Sequence, residues 1–336
     1  MQHSFKLPVR LLSILTAIVV SSVTVTADEK KPEWGGQKHK ITAQPLALNE
    51  DNPKQLSVGK LRFLNGWALT SDHKQFGGLS ALRVFETDAS DVFKIFSITD
   101  TGLWLRADLD LNAKAPFTNA TLRWQSPKSE GRDGKAKQDS ESIVKVDDGW
   151  LIGFEQDHRI LHVTAPAKNT RRSKITDQID FSGVGKNGGV EAMTLMPNGE
   201  ILAFMENGRD RQGRYKAFLA TETTSKLLHF KPAPNFHATD ATTLSNGDVL
   251  VMTRFFSPID GVAAKLVRIK VADIVEGSTL SGEELATFRP PLTVDNMEGL
   301  DVVELPDGRT LVFMLSDDNF SFLQRTIMMV FELTDQ

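Results

Sequence analysis

Short runs of alternating or β-rich residues recur along the chain, separated by clusters of Gly, Asn, Asp and Pro. Leu61 to Thr70, Val92 to Thr99, Trp150 to Phe154, Ile201 to Met205, Val249 to Thr253 and Leu311 to Leu315 are examples. Each fits a half-buried strand, with apolar side chains on one face. Helical periodicity is scarce and confined to a turn or two near Val271 to Val275 and Gly282 to Ala286. The strands also repeat as units. Glu141 opens a run that turns at Asp148-Gly149 and ends at Glu155. Glu191 opens one that turns at Asn198-Gly199 and ends at Glu206. Asp240 opens one that turns at Asn246-Gly247 and ends at Arg254. Glu298 opens one that turns at Asp307-Gly308 and ends at Asp317. A looser unit runs from Ser80 to Asp100. The Asn-Gly and Asp-Gly pairs are the chemistry of a tight hairpin turn.

The anchors at 80, 141, 191, 240 and 298 are spaced 61, 50, 49 and 58 residues apart. Several strands in a period of that size predict an all-β fold, a β-propeller of mostly four-stranded antiparallel blades. Five blades are visible. A degenerate sixth has room before residue 79 or within 101–140, although Ser126 to Ser140 is polar enough to be a loop between blades. Leu61 to Thr70 is expected to close the ring against Thr326 to Leu333.

The N-terminus follows another rule. Lys6 and Arg10 precede the apolar run Leu11 to Val20, and small residues lead to Ala27. This is the pattern of a signal peptide, residues 1–27. Residues 28–60 read as a polar leader, and 61–336 as a single propeller domain. The chain has no cysteine, which excludes disulfides, thiolate metal sites and a cysteine nucleophile. With the leader peptide this predicts a periplasmic or secreted protein with no membrane segment after cleavage. A net charge of −4 gives no basis for binding nucleic acid.

The repeat makes the charges informative. Innermost strands of a propeller line a central channel, and antiparallel pairing returns each hairpin to the end where it began. Ser80, Glu141, Glu191, Asp240 and Glu298 should therefore converge on one mouth with Asp100, Glu155, Glu206, Arg254, Asp317 and Asp318. Crowded carboxylates raise one another's pKa unless a cation intervenes. Oxygen ligands favour Ca²⁺ or Mg²⁺, so a divalent metal, calcium first, is the expected cofactor. The architectural alternative is that these acids satisfy backbone amides between blades.

Other motifs lack context. Gly183-Val-Gly185-Lys-Asn-Gly188 precedes a strand, whereas a dinucleotide fingerprint precedes a helix. Asp108-Leu-Asp110 opens like a calcium loop, but Ala113 and Asn119 stand where Gly and Glu are required. Gly78-Leu-Ser80 lacks the closing Gly of a nucleophile elbow. His158 and His162 lie in a strand pattern, and Lys168, Arg171, Arg172 and Lys174 read as a solvated loop.

The ordered set Phe76-Gly-Gly-Leu-Ser80, Ile98-Thr-Asp100-Thr-Gly, Asp139-Ser-Glu141, Phe154-Glu155 with His158-Arg159-Ile160, Gly189-Val-Glu191, Met205-Glu206-Asn, Arg254-Phe-Phe-Ser-Pro and Asn296-Met-Glu298-Gly resembles the phytase-like family ("esterase-like activity of phytase") of exported bacterial proteins, over residues 61–333. The resemblance implies a β-propeller and phosphoesterase chemistry at Asp100, Glu141, Glu155, Glu191, Glu206 and Glu298. Joined to the acidic mouth read from the repeat, it gives a metal-dependent hydrolase of phosphate esters. In that reading Glu191, Glu298 and Arg254 are catalytic, Asp100, Glu141, Glu155, Glu206 and Asp240 are metal ligands, and Arg159 and Arg254 bind an anionic ester substrate. Thr101, Ser142, Ala192 and Thr253 depart from the family pattern, and Thr253 removes a carboxylate. A non-catalytic binding propeller, for a ligand or a protein partner, and a lactonase- or carboxylesterase-like propeller are the alternatives.

Overall fold

The computed structural model describes residues 36–125, 138–165 and 168–334. The signal peptide expected over residues 1–27 lies outside these residues, as does most of the loop expected over Ser126 to Ser140. Four strands come first: β1 (Gln37–Lys38), β2 (Ile41–Pro45), β3 (Ser57–Val58) and β4 (Leu61–Ser71). Blade 1 is β5 (Leu79–Glu86), β6 (Val92–Thr99), β7 (Leu103–Asp110) and β8 (Phe117–Trp124). Blade 2 is β9 (Ser140–Val146), β10 (Gly149–Phe154), β11 (Arg159–Val163) and β12 (Arg171–Arg172). Blade 3 is β13 (Val190–Leu195), β14 (Ile201–Met205), β15 (Tyr215–Ala220) and β16 (Ser225–Phe230). Blade 4 is β17 (His237–Thr243), β18 (Val249–Ser257), β19 (Gly261–Ile269) and β21 (Glu283–Phe288), while β20 (Thr279–Leu280) runs parallel to β16. Blade 5 begins with β22 (Asn296–Glu304), β23 (Thr310–Asp317) and β24 (Ile327–Leu333), and is completed by β4 and β2.

The described residues thus form a five-bladed β-propeller. The ring closes as expected, β24 pairing with β4 from Ile327↔Ala68 to Leu333↔Leu61. The boundary at residue 61 moves, however. The 28–60 leader joins the fold from Gln37, with β1 on β8 and β2 on β4. Only Ile41 of β2 is buried, so an edge strand this polar carries no hydrophobic alternation to read. Glu283–Phe288 is a strand where a helical turn was expected, and Val271–Asp273 is a single 3₁₀ turn. No described helix is long and apolar enough to cross a membrane.

The core lies between blades. One apolar cluster joins blades 5 and 1 around Leu82, Phe93 and Phe313, and another joins blades 4 and 5 around Phe288, Leu300 and Phe331. Trp104 and Trp150 meet edge to face at 5.4 Å between blades 1 and 2. Each such side chain stabilises the ring by about 1.5–3 kcal/mol through burial.

The axis is polar. Arg83 of β5 reaches across it and bonds Asp240 of blade 4 through both terminal nitrogens, at 3.0 and 3.1 Å. The same guanidinium donates to the carbonyls of Met193 (2.9 Å), Leu300 (3.1 Å) and Ala241 (3.3 Å). Asp240 also accepts from the Leu300 amide at 2.9 Å, and Asp301 from the Val84 amide at 2.7 Å. One buried cation therefore contacts blades 3, 4 and 5 from blade 1, and the channel is stoppered at this level.

Candidate metal site at the propeller mouth

Every innermost strand carries the same irregularity. Pairing with its neighbour skips one residue between Leu79 and Ala81, Ser140 and Ser142, Val190 and Ala192, Ala238 and Asp240, and Met297 and Gly299. The residues left out are Ser80, Glu141, Glu191, Thr239 and Glu298. A bulge re-aims its unpaired side chain, here into the mouth above the stopper. On the facing strands, Asp100, Glu155 and Glu206 stand one residue past the strand end, Asp317 is the last residue of β23, and Arg254 lies within β18. Seven of these ten mouth positions are carboxylates.

The bulge corrects the expectation for Asp240. The repeat placed it in line with Glu191 and Glu298, but Thr239 holds that position and hydrogen-bonds the Met297 carbonyl at 2.9 Å. Asp240 sits one residue along, wholly buried on Arg83, and is not available as a mouth ligand. A one-residue register shift changes which side of a strand a side chain occupies. Arg159 is also displaced. It is fully buried, stacked 4.1 Å from the Phe154 ring, with Nη1 donating to the Asp157 carbonyl at 2.9 Å. That burial removes it from any solvent-borne substrate.

The remaining acids gather on blades 2 and 3. Asp139, Glu141 and Glu155 place carboxylate oxygens within 4.8 Å of one another, and so do Glu155, Glu191 and Glu206. Glu155 belongs to both groups. Asp139 was not among the expected ligands, although it stands in the Asp139-Ser-Glu141 motif. It stands just before β9, two residues from Glu141, and its carboxylate joins those of Glu141 and Glu155. Asp100, Glu298 and Asp317 complete the acid ring outside these two groups, Asp100 against Gly78. Ser142, a departure from the family pattern, bonds the Val190 carbonyl at 2.6 Å. Its hydroxyl fits because Gly153 has no Cβ, which would lie 2.3 Å from that oxygen.

The acids hold one another's protons. Burial, then the charges of Glu155, Asp139, Glu298 and Asp100, pushes Glu141 well above the usual carboxylate range. Burial, with Glu141, Glu206 and Glu155, does the same to Glu191. Burial raises Glu155 to about 7, partly offset by its hydrogen bond with Glu191. Asp317 is raised to about 7, and Glu298 to about 8 despite Arg254. Arg254 Nε lies 3.0 Å from Glu298 Oε1, and Nη2 lies 3.9 Å from Glu206 Oε1. Glu191 Oε1 is buried with no hydrogen-bond partner among the described residues, so this oxygen has an acceptor site left to fill. His237 adds a polar group that sequence reasoning missed, its Nδ1 3.3 Å from both Tyr215 Oη and the Glu206 carbonyl.

A family model described as "Phytase-like: Esterase-like activity of phytase" matches residues 74–320. No curated protein matches the chain. Among solved structures, an endo-arabinase from Bacteroides thetaiotaomicron is similar at 9% identity and a TM-score of 0.46, covering 76% of this chain and 94% of its own. An alpha-L-arabinofuranosidase from Podospora anserina is similar at 10% identity and 0.45, covering 89% and 98%. A protein of unknown function from Dyadobacter fermentans is similar at 12% identity and 0.42, covering 82% and 99%. At these scores the likenesses carry no argument about this chain.

Proposed function

Because the chain belongs to the phytase-like family described as esterase-like activity of phytase, we propose that its mouth is a divalent-cation site at which phosphate esters are hydrolysed. The observation that carries this reading is Glu155, a carboxylate common to two oxygen clusters, beside the unpartnered buried oxygen of Glu191. An all-carboxylate donor set suits a hard cation. Calcium is the first choice because it accepts several carboxylates in flexible geometry, whereas magnesium keeps most of its waters. Asp139, Glu141, Glu155, Glu191 and Glu206 would hold it, and the cation would supply Lewis acidity and a more acidic water.

The chain's own groups supply the rest. Arg254 is a fixed cation, partly open to solvent, placed to orient a phosphoryl anion by charge-assisted hydrogen bonds. Glu298, raised to about 8, keeps its proton at neutral pH beside that cation and can donate it to a leaving oxygen as general acid. The signal-peptide pattern over residues 1–27 supports an activity exerted outside the cytoplasm. The test is turnover of phosphomonoesters, phosphodiesters and carboxyl esters by chelator-treated protein, with Ca²⁺, Mg²⁺ or Mn²⁺ restored. Calcium-dependent release of phosphate is the expected result. Thermal stabilisation by calcium without turnover of any ester would make this a binding propeller, and no response to any cation would remove the metal site.

A further inference from the structure

The chain's one tyrosine stands beside the mouth, where blades 3 and 4 meet. Tyr215 opens β15 and is buried. Its hydroxyl accepts from Arg209 through Nε, at 3.0 Å, and through Nη2. A closed turn holds Arg209 in place: the Asp210 amide bonds the Arg214 carbonyl at 2.8 Å, and Asp210 Oδ1 accepts from the amides of Gln212 and Arg214, both at 2.9 Å. The Asp210 carboxylate is taken by Arg214 at 2.7 Å, which leaves Arg209 to the phenol. On its other side the hydroxyl meets His237 Nδ1 at 3.3 Å. His237 opens β17 directly opposite Arg254. Directly paired residues are neighbours on one face of a sheet, and both of these touch Glu206. Arg254 Nη2 lies 3.9 Å from its Oε1, and His237 Nδ1 lies 3.3 Å from its carbonyl oxygen. His237 is half-buried, and its Nε2 makes no hydrogen bond among the described residues.

The donors and acceptors around His237 fix which of its nitrogens carries the hydrogen. A guanidinium only donates. The Tyr215 hydroxyl accepts from Arg209 and must give its own proton elsewhere, and among the described residues His237 Nδ1 is the one other group it meets. Were the hydrogen on Nδ1, it would go to the Glu206 carbonyl, and the buried phenol O–H would face no acceptor. An orphaned buried donor is rarer than an under-satisfied carbonyl, so the phenol takes precedence. Nδ1 then accepts, and the neutral ring carries its hydrogen on Nε2. The mouth thus holds a neutral N–H donor next to the fixed cation Arg254, among carboxylates.

We propose that His237 is a substrate-binding residue whose Nε2–H donates to a phosphoryl oxygen of the ester that Arg254 orients. Arg209 and Tyr215 are positioning residues, acting through His237 by holding the tautomer that makes this donation possible. The inference rests on the phosphate-ester reading of the mouth. A neutral donor suits the place. A second cation beside Arg254 would be drawn to the Glu206 carboxylate and would compete with the metal for it, whereas an N–H binds an anionic oxygen and leaves the carboxylates to the metal.

The experiment has two arms. In the first, long-range proton–nitrogen NMR of the imidazoles at about pH 8, where an ordinary histidine is neutral, reads the tautomer of His237, identified by the signals that His237→Gln removes. Wild type is expected to carry the hydrogen on Nε2. Tyr215→Phe, which removes the phenol proton, is expected to move it to Nδ1 and onto the Glu206 carbonyl. In the second arm, calorimetry measures binding of methylphosphonate, a phosphoryl anion, to calcium-loaded protein. The amide N–H of His237→Gln stands in for Nε2–H and should keep affinity within about threefold, whereas the shorter His237→Asn, whose amide reaches only as far as Nδ1, should lose about tenfold or more. A wild-type ring with its hydrogen on Nδ1 overturns the proposal, and so does equal affinity in the Gln and Asn variants. In either case wild type that still binds methylphosphonate keeps the phosphate-ester reading intact. A Tyr215→Phe ring that keeps its hydrogen on Nε2 overturns the positioning role of Tyr215 and Arg209. Calcium-loaded wild type that binds no methylphosphonate overturns the proposal and the phosphate-ester reading together.

Discussion

Glu155 and Glu298 separate two roles that composition alone cannot distinguish. Glu155 lies in both oxygen clusters, while Glu298 stands against Arg254. Glu155→Gln is expected to raise the melting temperature of metal-free protein by relieving repulsion, and to abolish stabilisation by calcium. A purely architectural acid would do the opposite on the first count. Glu298→Gln should keep the calcium response but lower ester turnover by about 100-fold or more, the scale of a lost general acid. The ring as a whole should also titrate. Its raised carboxylates bind more protons folded than unfolded between their ordinary range and about 7 to 8. Stability of the metal-free protein therefore falls as pH rises through that window. Melting curves in chelator from pH 5 to 8 should show a steady decline, with calcium restoring stability at pH 8 and having little effect at pH 5.

At the scale of the element, hairpin turns were legible and bulges were not. Asn-Gly and Asp-Gly marked the turns, where Gly199, Gly247 and Gly308 adopt φ of 83°, 87° and 90°. A bulge has no comparable residue signature. Glu141, Glu191 and Glu298 occupy it, but so do Ser80 and Thr239, so matching acid to acid chose Asp240 in blade 4. Its neighbour Thr239 is the mouth residue. The packing behind the bulges is tight. Gly153→Ala would place a methyl 2.3 Å from Ser142 Oγ and 2.8 Å from the Val190 carbonyl. It is expected to destabilise the protein by about 1–3 kcal/mol, in the range of core overpacking, measurable by denaturant unfolding. Ser142→Gly should recover part of that loss, and a double-mutant cycle would show the coupling.

For the whole molecule, the ring is held by two closures of different kind. β4 on β24 joins chain ends through backbone pairing and was visible as two strand patterns without another partner. The Arg83 stopper ties blade 1 to blades 3, 4 and 5 through one guanidinium. Asp240→Ala leaves that cation buried without its carboxylate and should cost about 3–5 kcal/mol. Replacing both partners, Arg83→Met with Asp240→Leu, should cost less, because no buried cation remains and Asp301 keeps the Val84 amide and the Thr242 hydroxyl as donors. Equal losses in the single and double variants, read from unfolding midpoints, would show that the ion pair is not what fastens the axis.

Strand pattern, turn chemistry and a period near 50 residues are local or repetitive, and they suffice to specify an all-β ring with its strand ends gathered at one mouth. Glu141, Glu155, Glu191, Glu206 and Glu298 followed from that periodicity. Tertiary structure alone settled five blades, the entry of residues 37–45 into the ring, and the burial of Arg159 and Asp240. Which side chain faces the recess depends on a one-residue bulge and on a partner some 160 residues away, as with Arg83 and Asp240. Such pairings are set by which register buries the blade interfaces best, a property of the assembled ring that no single strand carries.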